Sequence, residues 1–182
     1  MDMNLFDLNN DIITMNIDGK DMEMRHPICY GKQYDKWLVS ACGKVWSIKN
    51  KKVLAGCKSY QHLADNKRLL KFIRHSMILQ EEDYWGDGSS RFVETDWSSY
   101  WSRDITAHKM ILDTWTPLYD NPPVGVSWDE WEIARDLPTV FELISKTVVI
   151  DHKDDNPLNN HKDNLFRKTA WDNNPSRKGK GS

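Results

Sequence analysis

The chain has 182 residues, 39% hydrophobic and 29% charged, the profile of a globular protein with room for one ordinary core or two small ones. No apolar run approaches the ~18 residues of a membrane span, and the Met-Asp-Met-Asn start lacks the basic stretch of a signal peptide, so a cytoplasmic protein without a membrane partner is expected. The net charge of −2 is segregated: residues 44–75 carry nine basic and one acidic side chain, whereas residues 80–142 carry four basic and fourteen acidic ones.

In chain order, Ile12-Ile13-Thr14-Met15-Asn16-Ile17 followed by Gly19 alternates like a strand running into a turn. Cys29, Cys42 and Cys57 are odd in number and widely separated, which favours reduced thiols over a disulfide framework or a zinc knuckle. Between Tyr34 and Leu54, Gly43 turns one strand into the next, Val45 opens another, and Asn50-Lys51 makes a hairpin tip. Lys44, Lys49, Lys51 and Lys52 then stud the turns and one face. Such a ribbon can lie along a DNA groove or its phosphates, and the basic block from 44 to 75 has the charge that phosphate neutralisation needs. The same lysines also suit a plain solvated hairpin.

Residues 67–79 place basic side chains at 67, 68, 71 and 74 of an apolar run, which predicts a helix with a basic side carrying Lys71 and Arg74. The β-branched and aromatic content leaves a strand open. The tract 81–104 is aromatic and acidic, with a turn at Gly86-Asp87-Gly88; among so many carboxylates, Trp97, Tyr100 and Trp101 are expected to cover the core rather than stack on bases. His108 is expected to be a satisfied packing residue outside any metal site. Between Pro117 and Lys146, two short helices separated by Pro138 are expected.

The β-branched run Thr147–Ile150 predicts a strand that delivers Asp151 and His152 into a loop rich in Asn and Asp, held by side-chain-to-backbone bonds. Asn164-Leu165-Phe166 restarts a strand, Thr169 with Asp172 gives a helix start, Pro175 limits that helix, and a small basic tail follows. Asp151 is a hard oxygen ligand suited to Mg²⁺, with another divalent cation such as Mn²⁺ as the alternative, and Asn173 offers a neutral carbonyl oxygen. The imidazole of His152 is the side chain best matched to take a proton near neutrality. Adjacent residues on a regular strand point to opposite faces, so Asp151 and His152 serve one site only if the backbone bends or bulges between them.

The order Asp151-His152, an Asn159-Asn160 loop, Asn164-Leu165, then Thr169 and Asn173 resembles the ββα-metal motif of HNH nucleases, above all the HNH homing endonucleases of bacteriophage introns, whose third signature residue is often Asn. The motif covers about 30 of the 182 residues. The pattern Tyr34, Val39-Ser40, Gly43-x-Val45-x-Ser47, Lys51-Lys52-x-Leu54 is similar to the small β module that precedes HNH domains in those enzymes, while residues 117–146 make a longer link than the compact family pattern has. The resemblance implies an α+β fold: a small antiparallel β module followed by a ββα-metal motif with a helical insertion. It divides the chain into a β-rich DNA-binding module over 1–79, an acidic and aromatic connecting region over 80–146, in which Ile105 to Trp115 matches the family's strand-then-helix with His108 at the junction and a helical insertion follows, and the nuclease motif with its basic tail over 147–182.

The function so implied is metal-dependent hydrolysis of double-stranded DNA by a monomer, in the host cytoplasm if phage-encoded. His152 is the general base, Asn164 bonds across the loop to orient it, Asp151 and Asn173 hold one cation, and Lys44, Lys49, Lys51, Lys52, Lys71 and Arg74 contact DNA. The alternative is a DNA-binding regulatory protein that keeps the fold with little catalysis.

Overall fold

The computed structural model describes residues 11–62, 68–78 and 90–169. The expected turn at Gly86-Asp87-Gly88, the helix start at Asp172, Asn173, Pro175 and the basic tail lie outside the described residues.

The first strands are set by local turn chemistry. β1 (Ile13–Ile17) pairs antiparallel with β2 (Lys20–Arg25) across Asp18-Gly19, both at positive φ, the two-residue turn whose twist matches a hairpin. The short pair β3 (Ile28–Cys29) and β4 (Lys32–Gln33) closes in the same way through Tyr30-Gly31. β5 (Trp37–Ser40), β6 (Val45–Ser47) and β7 (Lys52–Leu54) then extend the first hairpin into an antiparallel sheet of order β1-β2-β5-β6-β7. Gly43 turns β5 into β6, and the tip at Asn50-Lys51 joins β6 to β7, with Lys51 at φ 49°.

A second antiparallel sheet, of order β10-β11-β9-β8, contains β8 (Cys57–His62), β9 (Arg68–Ile78), β10 (Ser90–Thr95) and β11 (Ser98–Thr106). The helix expected over 67–79 is therefore a strand. β8 pairs with the first part of β9, Arg68 to Arg74, and β11 with the rest, Arg74 to Ile78, so ladder pairing along its length overrides the three-and-four spacing of its basic residues. Trp97 also departs from expectation: at the β10–β11 turn it is 94% exposed and covers no core.

β11 runs directly into α1 (Ala107–Trp115), whose Ala107, Met110, Ile111 and Leu112 recur at helical spacing and are buried. The helix stops where Thr116 precedes Pro117, because the proline ring disfavours helical backbone at the residue before it. α1 is the centre of the main core, packed against Tyr34, Trp37, Val39 and Val45 of the N-terminal part, Ile105, and Leu165 near the C-terminal end of the described chain. Burying a side chain such as Ile111 completely is worth roughly 1.5–3 kcal/mol. On β5 the alternation sends Leu38 to the opposite face, where it joins Ile17 and Met24 in a smaller cluster.

The insertion folds as α2 (Trp128–Arg135) and α3 (Pro138–Thr147). A Ser127–Glu130 capping box starts α2, and Pro138 occupies the first turn of α3, where its missing N–H costs nothing. Trp131 is fully buried, donates from Nε1 to Tyr119 O at 3.0 Å and packs on Phe141. Thr147, expected to open the next strand, instead ends α3: its hydroxyl donates back to Leu143 O and Ile144 O. The strand β12 (Val148–His152) follows and pairs antiparallel with β13 (Leu165–Thr169). The architecture is α+β with antiparallel sheets, and among the described residues no helix is long and apolar enough to cross a membrane.

Candidate active site

Asp151 and His152 end β12, and the loop after them is tied into a fixed shape by its own Asp and Asn side chains. Asp154 Oδ1 accepts from Asn156 N at 2.9 Å and from Asn164 Nδ2 at 2.8 Å, while its Oδ2 accepts from Asn159 Nδ2 at 2.7 Å. These bonds, those of Asn159 and Asn164 first, hold the Asp154 carboxyl down at about 2. Lys153 N donates to Asn164 O at 2.8 Å, so the two ends of the loop meet where β13 begins.

The loop is also docked from outside. Lys162 N donates to Ala41 O at 2.8 Å, in the β5–β6 turn. Gly43 in the same turn has φ +93°, and a Cβ there would stand 3.2 Å from both Asn160 Cβ and Ile111 Cδ1. The first sheet thus presses Asn160 inward beside α1.

Asn160 is the residue that holds His152. Its Oδ1 lies 3.1 Å from His152 Nε2, and the two residues are 6% and 9% exposed. In the neutral ring, an amide oxygen as acceptor places the proton on Nε2 and leaves the lone pair on Nδ1. The bond across the loop expected of Asn164 goes elsewhere: Asn164 donates to Asp154 and to Asn159 O at 2.8 Å, bracing the loop without touching His152. The signal for Asn160 was present in the Asn159-Asn160 pair, but the sequence does not say which of the two faces inward.

Behind His152 stands His108, whose ring centroid is 5.8 Å away at 84°. Phe72 packs on the other histidine edge-on at 6.2 Å. Burial first, then the neighbouring His152, pushes the His108 imidazole from 6.5 down to about 4, so it is neutral near neutrality. Its Nε2 is 3.1 Å from Thr106 Oγ1, whereas Nδ1 is buried with no partner among the described residues. The expectation of a fully satisfied packing histidine is met at only one of its two nitrogens.

The bend required between Asp151 and His152 is absent. The β12–β13 ladder runs in regular register, Asp151 opposite Phe166 and His152 opposite Leu165, which turns the two side chains to opposite faces. His152 shares its face with Leu165 and Arg167; Arg167 is anchored by Asp113 Oδ1 at 2.9 Å and Thr116 O at 2.6 Å. Asp151 shares the other face with Lys168. Its Oδ1 accepts from His152 N at 3.0 Å, and its Oδ2 accepts the Lys168 ammonium.

That ammonium is the test of whether Asp151 suits a cation. One carboxylate oxygen already accepts a positive charge, the Lys168 side chain being 8% exposed and that of Asp151, partly open to solvent, 26%. A carboxylate oxygen is a hard donor of the class that Mg²⁺ and Mn²⁺ take. Among the described residues no group of three His, Cys, Asp or Glu side chains converges to hold a metal, and Asn173 lies outside them.

The basic residues divide. Lys49, Lys51 and Lys52 are exposed around the β6–β7 tip, and among the described residues none of them is in an ion pair. Lys44 pairs with Asp18 at 3.2 Å, and Arg74 with Asp104 at 2.9 Å. Lys71 lies on β9, its side chain outside what is described.

No protein-family model matches the chain, and no curated protein matches it. A solved structure reporting DNA binding and cleavage by the HNH homing endonuclease I-HmuI is similar over 87% of this chain, at 19% identity and a TM-score of 0.39. This chain spans 62% of that one, less than two thirds of its length.

Proposed function

We propose that this chain is an HNH-type endonuclease of homing or phage-encoded kind, acting as a monomer that hydrolyses phosphodiester bonds of double-stranded DNA with the unit β12, loop and β13. The observation that carries this reading is the His152–Asn160 pair in its stapled loop: a histidine held by its Nε2 proton, with Nδ1 as the base. In this reading His152 takes the proton of the attacking water, Asn160 holds the ring, and Asn164 keeps the loop closed around it. Asp151, with Asn173 as the resemblance implies, would hold a divalent cation, which supplies charge relief on the phosphoryl oxygens and eases departure of the 3′ oxygen; because the regular register turns Asp151 away from the His152 face, this role requires the end of β12 to bend when DNA and metal bind. Lys49, Lys51 and Lys52 give the exposed charge for the DNA backbone, with Lys71 as a further contact; Lys44 and Arg74 do so only by leaving Asp18 and Asp104.

A second reading, a DNA-binding regulatory protein with little catalysis, draws on the regular ladder that turns Asp151 and His152 apart. The two part in a supercoiled-plasmid assay with Mg²⁺, Mn²⁺ or EDTA. Nuclease action gives metal-dependent nicking that is lost in Asp151→Ala and kept in Asp163→Ala. DNA binding without nicking under any divalent cation selects the regulator.

A further inference from the structure

Lys168 is the feature of the site that neither the motif nor the loop accounts for. It faces Val149 across the hairpin, which puts it on the same side of β12–β13 as Asp151 and diagonal to it. Its ammonium reaches Asp151 Oδ2 while its side chain is 8% exposed, and the Phe166 ring flanks it with its centroid 5.6 Å from Nζ. Asp151 Oδ1 meanwhile accepts from His152 N at 3.0 Å, so Oδ2, which carries the ammonium, is the oxygen at which a second cation would meet Lys168. A cross-strand Lys–Asp pair can stabilise a hairpin on its own. This one also stands where a second positive charge would have to enter.

We infer that Lys168 is the resident counter-ion of the Asp151 position and competes with a divalent metal for it. The inference rests on the proposed metal role of Asp151. A divalent ion and an ammonium repel each other when both sit on one carboxylate oxygen. Metal therefore binds by displacing Lys168, and the strength of the Lys168–Asp151 pair sets how much metal is needed. In the metal-free protein the lysine keeps the carboxylate compensated and the hairpin closed.

The test is Mn²⁺ binding, read by electron paramagnetic resonance of free ion and by titration calorimetry, on the full chain without DNA. Lys168→Met, close in length and without charge, is expected to bind Mn²⁺ about tenfold more tightly than the wild type or better. Lys168→Arg, which keeps the charge, should bind no more tightly than wild type, and Asp151→Asn should lose the site. Thermal melts establish that each variant is folded, and Lys168→Gln takes the place of the Met variant if that one is not. Equal Mn²⁺ affinity in wild type and the uncharged variant, with loss in Asp151→Asn, overturns the competition while leaving Asp151 as the ligand. Undiminished binding in Asp151→Asn, or no binding by wild type and the uncharged variant alike, overturns the metal role of Asp151 itself and this inference with it.

Discussion

His152 Nε2 and Asn160 Oδ1 stand 3.1 Å apart inside a loop that the β5–β6 turn presses against α1. The bond fixes both the orientation and the tautomer of the ring, so its loss should act on catalysis more than on DNA affinity. Asn160→Leu is expected to lower turnover about 10- to 100-fold, and Asn160→Asp, which can still accept from Nε2, should recover part of that loss. Single-turnover cleavage beside a DNA mobility-shift titration separates the two effects. Equal loss in both variants would assign Asn160 to folding alone.

His152→Ala should reduce cleavage by about 10² to 10⁴, the range for a general base, with DNA binding near wild type. Wild-type nicking by this variant removes His152 from the mechanism.

The exposed lysines at the β6–β7 tip should make binding steeply dependent on salt, because each neutralised phosphate releases counterion. Replacing Lys49, Lys51 and Lys52 together with Gln should lower the slope of log K against log salt by up to about 2.7, roughly 0.9 per phosphate contact. Lys44→Gln should change it less, since its ammonium is already shared with Asp18. An unchanged slope in the triple variant moves the DNA path to another face.

Stability should fall on acidification through His75. Burial lowers its imidazole from 6.5 to about 4 in the folded protein, so the unfolded chain takes up a proton first as pH falls. The stabilisation is fully present above 6.5 and is lost progressively down to about 4. Between pH 7 and pH 5 this one group should cost on the order of 2 kcal/mol. Urea unfolding at the two pH values measures it, and His75→Gln should show a correspondingly smaller difference.

Gly56 joins β7 to β8 at φ +68°, and a Cβ there would stand 2.6 Å from Ile73 Cγ2 and 2.9 Å from Arg74 O. Gly19, at φ +78°, has nothing within 4 Å of its would-be Cβ. Gly56→Ala should therefore cost about 2–4 kcal/mol, backbone strain plus overpacking against β9. Gly19→Ala should cost only the backbone part, about 1 kcal/mol. Similar urea midpoints for the two variants would show that β9 yields to the extra methyl.

What lay in the sequence was what neighbouring residues decide among themselves. The Gly19 and Gly43 turns, the Asn50-Lys51 tip, and the two helices about Pro138 follow from backbone preferences and short-range periodicity. Strand, loop and strand around Asp151-His152 were legible for the same reason. What only the tertiary structure decided was pairing. Arg68–Ile78 carries a helix-like spacing of charges but is a strand, because β8 pairs with it as far as Arg74 and β11 from Arg74 onward. Asn160 rather than Asn164 reaches His152, because Ala41 and Gly43, far away in the chain, fix which side of the loop faces α1. Asp151 meets Lys168 because the loop length sets the β12–β13 register, and a slip of one residue would turn Lys168 to the opposite face.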